Sequence, residues 1–299
     1  MSTLSRTDDR SGAIAYRTAT VRGLDIFFRD AGPADAPAIV LLHGFPSSSH
    51  MFRNLIPMLA GRFRVIAPDY PGFGFSSAPA PDAFAYSFDA LADVVEGLLD
   101  QLGVRRYALY MQDYGGPVGF RLALRHPERV TGLVVQNAVV NLEGWQPGPP
   151  AAFAPFWTAR NAETETPVRG FLAAETTRFQ YEHGAGDRLG RVSPDTWRHD
   201  QSGLDRPGND AIQLELLYRY QDNVGAYPAW QDYLKAQQPP VLVVWGDNDP
   251  FFTLAGRDLF RTLVPSAEVH GYDAGHFALE THAGEIGAAV AAFLSRLPA

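Results

Sequence analysis

The sequence predicts an α/β fold: a mostly parallel sheet flanked by helices, with a helical cap inserted past its middle. Three observations predict it. Short, nearly continuous apolar runs alternate with amphipathic segments, as strands buried on both faces alternate with the helices that cover them. That rhythm stops between about Asn141 and Lys235, where strand signals vanish and Trp, Tyr and Phe crowd together behind Pro147-Gly148-Pro149-Pro150. It resumes at Pro239-Pro240.

In order, Met1 to Gly12 is polar, carries both charge signs and reads as a loose tail. Thr18-Ala19-Thr20-Val21 and Asp25-Ile26-Phe27-Phe28 alternate in polarity and read as antiparallel edge strands. Ile39 to Leu42, Arg64 to Ala67, Tyr107 to Met111, Leu133 to Gln136, Val241 to Trp245 and Ala267 to His270 read as the remaining strands. Helices are expected over Ser48 to Leu59, Ser87 to Leu102, Val118 to Arg125, Thr253 to Leu263 and Glu285 to Leu297. The domain reading is a tail over residues 1–12, a core over 13–140 and 236–299, and a cap over 141–235.

Composition narrows the function classes. With 299 residues, 46% of them hydrophobic and 19% charged, the chain can bury a large core. A net charge of −8 disfavours nucleic acid as a partner. The absence of cysteine rules out disulfides and thiolate chemistry. The amino terminus lacks the apolar run of a signal peptide, and no apolar stretch is long enough to span a bilayer. A cytoplasmic monomer or homodimer without membrane attachment is the expectation.

Four signals fall at strand ends, where open parallel sheets hold their ligands. His43-Gly44-Phe45-Pro46 follows the third predicted strand, and its glycine permits a turn that aims backbone amides. Gln112-Asp113-Tyr114-Gly115-Gly116 reads as a sharp strand-to-helix turn presenting a carboxylate, with Gly115 and Gly116 allowing the bend. Asp113 is therefore a candidate nucleophile, and the N–H groups of Phe45 and Tyr114 a candidate oxyanion hole. Trp245-Gly246-Asp247-Asn248-Asp249-Pro250 offers two carboxylates able to orient a histidine. Asp273-Ala274-Gly275-His276-Phe277 supplies a late histidine able to deprotonate water.

These segments, together with Asp69-Tyr70-Pro71-Gly72-Phe73-Gly74-Phe75-Ser76, resemble the α/β-hydrolase superfamily. Within it they resemble the epoxide hydrolase and haloalkane dehalogenase branch. The resemblance spans nearly the whole chain and is weakest in the cap. It implies attack by Asp113 on a saturated carbon, an alkyl ester on the protein, and hydrolysis by water that His276 activates under orientation by Asp249 rather than Asp247. No metal or organic cofactor is implied.

The same resemblance bears on the leaving group. The dehalogenase branch usually places tryptophan where this chain has Tyr114, and often asparagine where it has Phe45, whose side chain has no donor. Epoxide hydrolases use cap tyrosines to protonate the ring oxygen, one of them about thirty residues before the orienting acid. Tyr218 stands at that distance, with Tyr220 as its rival and Trp157 near the partner position. The expectation is an epoxide hydrolase acting on a small apolar or aromatic substrate with water. A haloalkane dehalogenase is the alternative, and a non-catalytic ligand-binding protein of the same fold is the alternative of another class.

Overall fold

The computed structural model describes residues 13–298, so the predicted tail lies outside the described residues. Eight strands form one sheet: β1 Ala15–Val21, β2 Leu24–Ala31, β3 Ala38–Leu42, β4 Arg64–Pro68, β5 Tyr107–Gln112, β6 Val130–Gln136, β7 Val241–Gly246 and β8 Glu268–Tyr272. Their spatial order is β1-β2-β4-β3-β5-β6-β7-β8. The pairs β1/β2 and β2/β4 are antiparallel and the others parallel. β5 and β7 are buried at every position, while β1 is largely exposed at the edge.

Helices cover both faces. Described in chain order they are α1 Ile56–Leu59, α2 Phe88–Gln101, α3 Gly115–Arg125, α4 Gly148–Thr158, α5 Ala162–Arg169, α6 Ala174–Glu182, α7 Pro194–Leu204, α8 Asn209–Gln237, α9 Leu254–Leu263 and α10 Ala278–Leu294. One apolar cluster lies under α2, α3, α8 and α9 and the other under α1 and α10. Ser87 and Thr253 cap α2 and α9, each accepting a backbone N–H of the first turn. Between β6 and β7 stand α4 to α8 and no strand, as the aromatic, strandless stretch predicts.

Three helices differ from expectation. The segment from Ser48 breaks into a 3-10 turn over Ser49–Phe52 and the short α1, which starts at Ile56 with Pro57 in its first turn, where proline is tolerated. α3 begins at Gly115, three residues early. α10 begins at Ala278, and non-helical geometry at His282 kinks it.

Register aligns the strand ends. Leu42, Met111, Val135, Val243 and Val269 stand in one row across five strands. Strand order reverses at β3, with β4 on one side and β5 on the other, so a crevice opens beyond their carboxyl ends. The loops leaving β3, β5, β6, β7 and β8 converge there.

Candidate active site

Asp113 is the first residue past β5, and its φ is +47°. A non-glycine residue in this left-handed region carries strain, held in place here by the buried strand before it and the helix after it. The expectation that Gly115 and Gly116 supply the bend needs correcting, because neither has a positive φ. Gly115 is required for a different reason: a Cβ there would sit 2.1 Å from the Leu42 carbonyl oxygen. Gly44 likewise admits close approach, since its Cβ would meet that of Asp113 at 2.3 Å.

That approach brings the loop after β3 onto the carboxylate. The Phe45 N–H donates to Asp113 Oδ1 at 2.7 Å, and the Tyr114 N–H donates to the same carboxylate. The other oxygen, Oδ2, lies 4.0 Å from His276 Nε2. That gap is too long for a direct hydrogen bond. Burial raises the Asp113 carboxyl above its ordinary range, against the pull of His276 and the two amides.

His276 is held on every side. Its Nδ1 meets Asp249 Oδ2 at 2.8 Å. Gln112 Nε2 lies 2.9 Å from its Nε2, and Gln136 Nε2 donates to its carbonyl oxygen. Donation from Nδ1 to Asp249 leaves Nε2 as the acceptor facing Asp113. Burial alone would lower the imidazole pKa, but the charge and hydrogen bond of Asp249 outweigh it and the net shift is upward.

Asp249 itself is buried and saturated with donors. Asn137 Nδ2 donates to its Oδ2 at 2.7 Å, and the N–H groups of Phe251 and Phe252 donate to its Oδ1. Asp247 instead pairs with Arg257 at 2.7 Å, half-exposed, and serves its own loop. Sequence reading missed Asn137, which ends β6 with a φ of +43° and also ties Gly246 through both of its amide atoms. A polar Gln136-Asn137 pair closing an apolar strand is the signal that marks it.

Asp113 and His276 open into a cavity of about 40 Å³ lined by Phe45, Tyr114, Trp145, Phe153, Leu217 and Tyr220 among others. Pro149, Phe171 and Phe251 line both this cavity and a wider outer cleft of about 510 Å³. A larger cavity of about 300 Å³ lies between the loops at 46–48 and 72–75 and α7, but shares no lining residue with the first and holds neither Asp113 nor His276.

The cap residues are sorted by helix geometry. Along α8 the buried residues Gln213, Leu216, Leu217, Tyr220, Asn223, Tyr227, Trp230 and Leu234 recur every three or four positions. Tyr220 lies on this stripe and lines the cavity. Tyr218, two residues back, is turned by about 200°. It packs against Phe156 and under Arg160 and does not line the cavity. Trp157 is also absent from the lining; its indole N–H donates to the Leu217 carbonyl and its ring stacks on Phe153. Tyr227, two turns after Tyr220, hydrogen-bonds to it and accepts from Trp145 Nε1 at 3.0 Å. Burial holds the Tyr220 phenol well above its usual pKa.

Such an arrangement can direct one carboxylate oxygen at an electrophile while the other rests on the Phe45 amide, with an imidazole beside it. Among the described residues no cluster of metal-ligating side chains occurs, and no helix is long and apolar enough to cross a membrane.

Comparison with known proteins agrees with this architecture. The sequence profile of the alpha/beta hydrolase fold family matches residues 37–283. An uncharacterized hydrolase of Saccharomyces cerevisiae is 42% identical over 87% of this chain and 90% of its own. A cis-3-alkyl-4-alkyloxetan-2-one decarboxylase of Xanthomonas campestris is 33% identical, covering 92% and 94%. A haloalkane dehalogenase of Mycobacterium marinum is 31% identical, covering 88% and 86%. Among solved structures, an epoxide hydrolase (CorEH) superimposes with a TM-score of 0.75 at 22% identity over 95% of this chain and 99% of its own, a likeness of fold alone.

Proposed function

The chain belongs to the α/β-hydrolase fold family, and from that premise we propose that it hydrolyses an epoxide to a diol through an ester on Asp113. The observation that carries the choice of epoxide is Tyr220, a phenol in the same cavity as the carboxylate. Tyr227 accepts from Trp145 and shares a hydrogen bond with Tyr220, which holds the Tyr220 hydroxyl in place until a ligand oxygen takes its proton.

Asp113 Oδ2 attacks a ring carbon, and the C–O bond breaks toward the ring oxygen. Tyr220 gives that oxygen its proton. Oδ1 becomes the ester carbonyl oxygen while still resting on the Phe45 amide. Water then adds to Cγ, giving one proton to His276, and the charge developing on Oδ1 falls on the N–H groups of Phe45 and Tyr114. The intermediate collapses by breaking the Cγ–Oδ2 bond. His276 protonates the departing oxygen, the diol leaves with Oδ2, and the remaining water proton on the new carboxyl returns to Tyr220 through solvent. The cap aromatics favour an apolar or aromatic substrate.

One turnover in heavy-oxygen water tests this directly. The label is expected in the Asp113 peptide and not in the diol; label in the diol with none in Asp113 refutes the ester. A substrate panel of styrene oxide, an epoxy-fatty acid and a bromoalkane tests the choice of leaving group. Halide release without diol formation would favour the dehalogenase reading, which the Mycobacterium marinum relative supports. A cis-dialkyl oxetanone belongs in the panel because the Xanthomonas campestris relative is named for that ring. A protein that binds ligand without turnover would keep its affinity in Asp113→Ala.

A further inference from the structure

Gln180 stands out among the polar groups of the cavity. It lies on α6, is only 3% exposed, and lines the same space as Asp113, His276 and Tyr220. Its Nε2 is buried and has no hydrogen-bond partner. Its buried polar neighbours on α6 are satisfied: Thr177 donates to Gln201, and Tyr181 donates to Asp200. The other indole and imidazole groups facing the cavity are engaged as well, Trp145 with Tyr227 and His276 with Asp249.

An amide buried without a partner is destabilising. Phe153, Phe171, Leu217 and Phe251, which line the same cavity, have no side-chain acceptor to offer it, and a ligand bound there can bring one. The hydroxyl of Tyr114 is also buried and unpartnered, but its ring is wedged among Phe45, Phe73, Phe88 and Tyr220. Gln180 approaches from a different helix than Tyr220, α6 against α8.

We propose that Gln180 is a catalytic residue that donates to the leaving oxygen of the substrate beside Tyr220. The inference rests on the epoxide reading and deepens it. As the C–O bond breaks, charge grows on the oxygen, so the amide N–H binds the transition state more strongly than the ground state. The amide keeps its proton throughout; Tyr220 supplies the one transferred.

The test uses the full chain in a His276→Gln background, in which the ester accumulates. Adduct formation on the Asp113 peptide is followed by mass spectrometry with styrene oxide and with 1-bromohexane. Gln180→Met, close in shape and lacking the donor, is expected to slow alkylation by styrene oxide at least tenfold. Its rate with the bromoalkane should fall by a smaller factor, because bromide is a weaker hydrogen-bond acceptor than a developing alkoxide. Melting temperature should hold or rise, since an unpaired amide has gone; a merely structural glutamine would lower it. Equal rates with styrene oxide in parent and Gln180→Met overturn the role of Gln180 while leaving the epoxide reading intact. Absence of any adduct in the His276→Gln parent, given turnover by the wild type, overturns the epoxide reading itself.

Discussion

Asp113 combines three costs in one residue: a left-handed backbone, a buried carboxyl and a nearby second carboxylate in Asp249. Strain of this kind is a stability debit that function retains. Asp113→Gly and Asp113→Ala remove the same carboxylate, and only the alanine keeps a Cβ at φ +47°. The glycine variant is expected to be more stable by about 1 kcal/mol in urea unfolding, with both variants inactive. The pH profile follows from the same groups. The proposed mechanism needs Asp113 ionised for attack and His276 neutral for ester hydrolysis, and both pKa values are raised. The acid limb of kcat, where ester hydrolysis limits turnover, should therefore lie above about 6.5, the ordinary histidine value. Tyr220 must keep its proton, and its own shift is upward, so it adds no alkaline limb below about pH 10. Profiles of kcat and kcat/KM from pH 5 to 10 check both statements.

Elements decide which side chains share the cavity. On α8, one hundred degrees per residue separates Tyr218 from Tyr220 and joins Tyr220 to Tyr227. Tyr220→Phe should lower kcat for an epoxide by about 10²-fold or more, the usual contribution of a positioned acid. Tyr218→Phe should leave it within a factor of two, and steady-state assay of both variants separates them. The preference for Tyr218 came from counting back from Asp249, and counting along the chain is blind to rotation about a helix axis. The buried stripe from Gln213 to Leu234 mixes Gln, Asn, Tyr, Trp and Leu, so it emerges from packing and not from an apolar pattern in the sequence. α6 shows the same. Gln180 has no motif, and its importance lies in a missing partner, which only packing reveals.

At the scale of the molecule, cap and core meet where Tyr181 of α6, Asp200 of α7 and Ser47 of the loop after β3 hydrogen-bond together. Burial pushes the Asp200 carboxyl up to about 8. The sign follows from proton counting: between pH about 4 and 8 the folded chain holds a proton that the unfolded chain has released. This group's contribution to stability is complete below about pH 4 and is lost as pH rises through about 8. Asp200→Asn should flatten that part of the dependence of melting temperature on pH, read by calorimetry from pH 5 to 8.5. A wild-type slope unchanged in the variant would assign the dependence to other groups.

The sequence by itself determined the sheet, its flanking helices and the strandless insertion, because apolar periodicity is written in local order and each buried strand announces its own burial. It also marked Phe45, Asp113, Tyr114, Asp249 and His276, because they sit in short segments whose glycines and strand ends are local features. Only the tertiary structure decided that Asp113 itself bears the bend, that Asn137 clamps Asp249, that Tyr220 faces the carboxylate and Tyr218 does not, and that Trp157 spends its N–H on Leu217. The physical reason is common to all four. Each depends on a distance between groups far apart in the chain, or on rotation about a helix axis, and those quantities exist only once the sheet has closed beneath the cap.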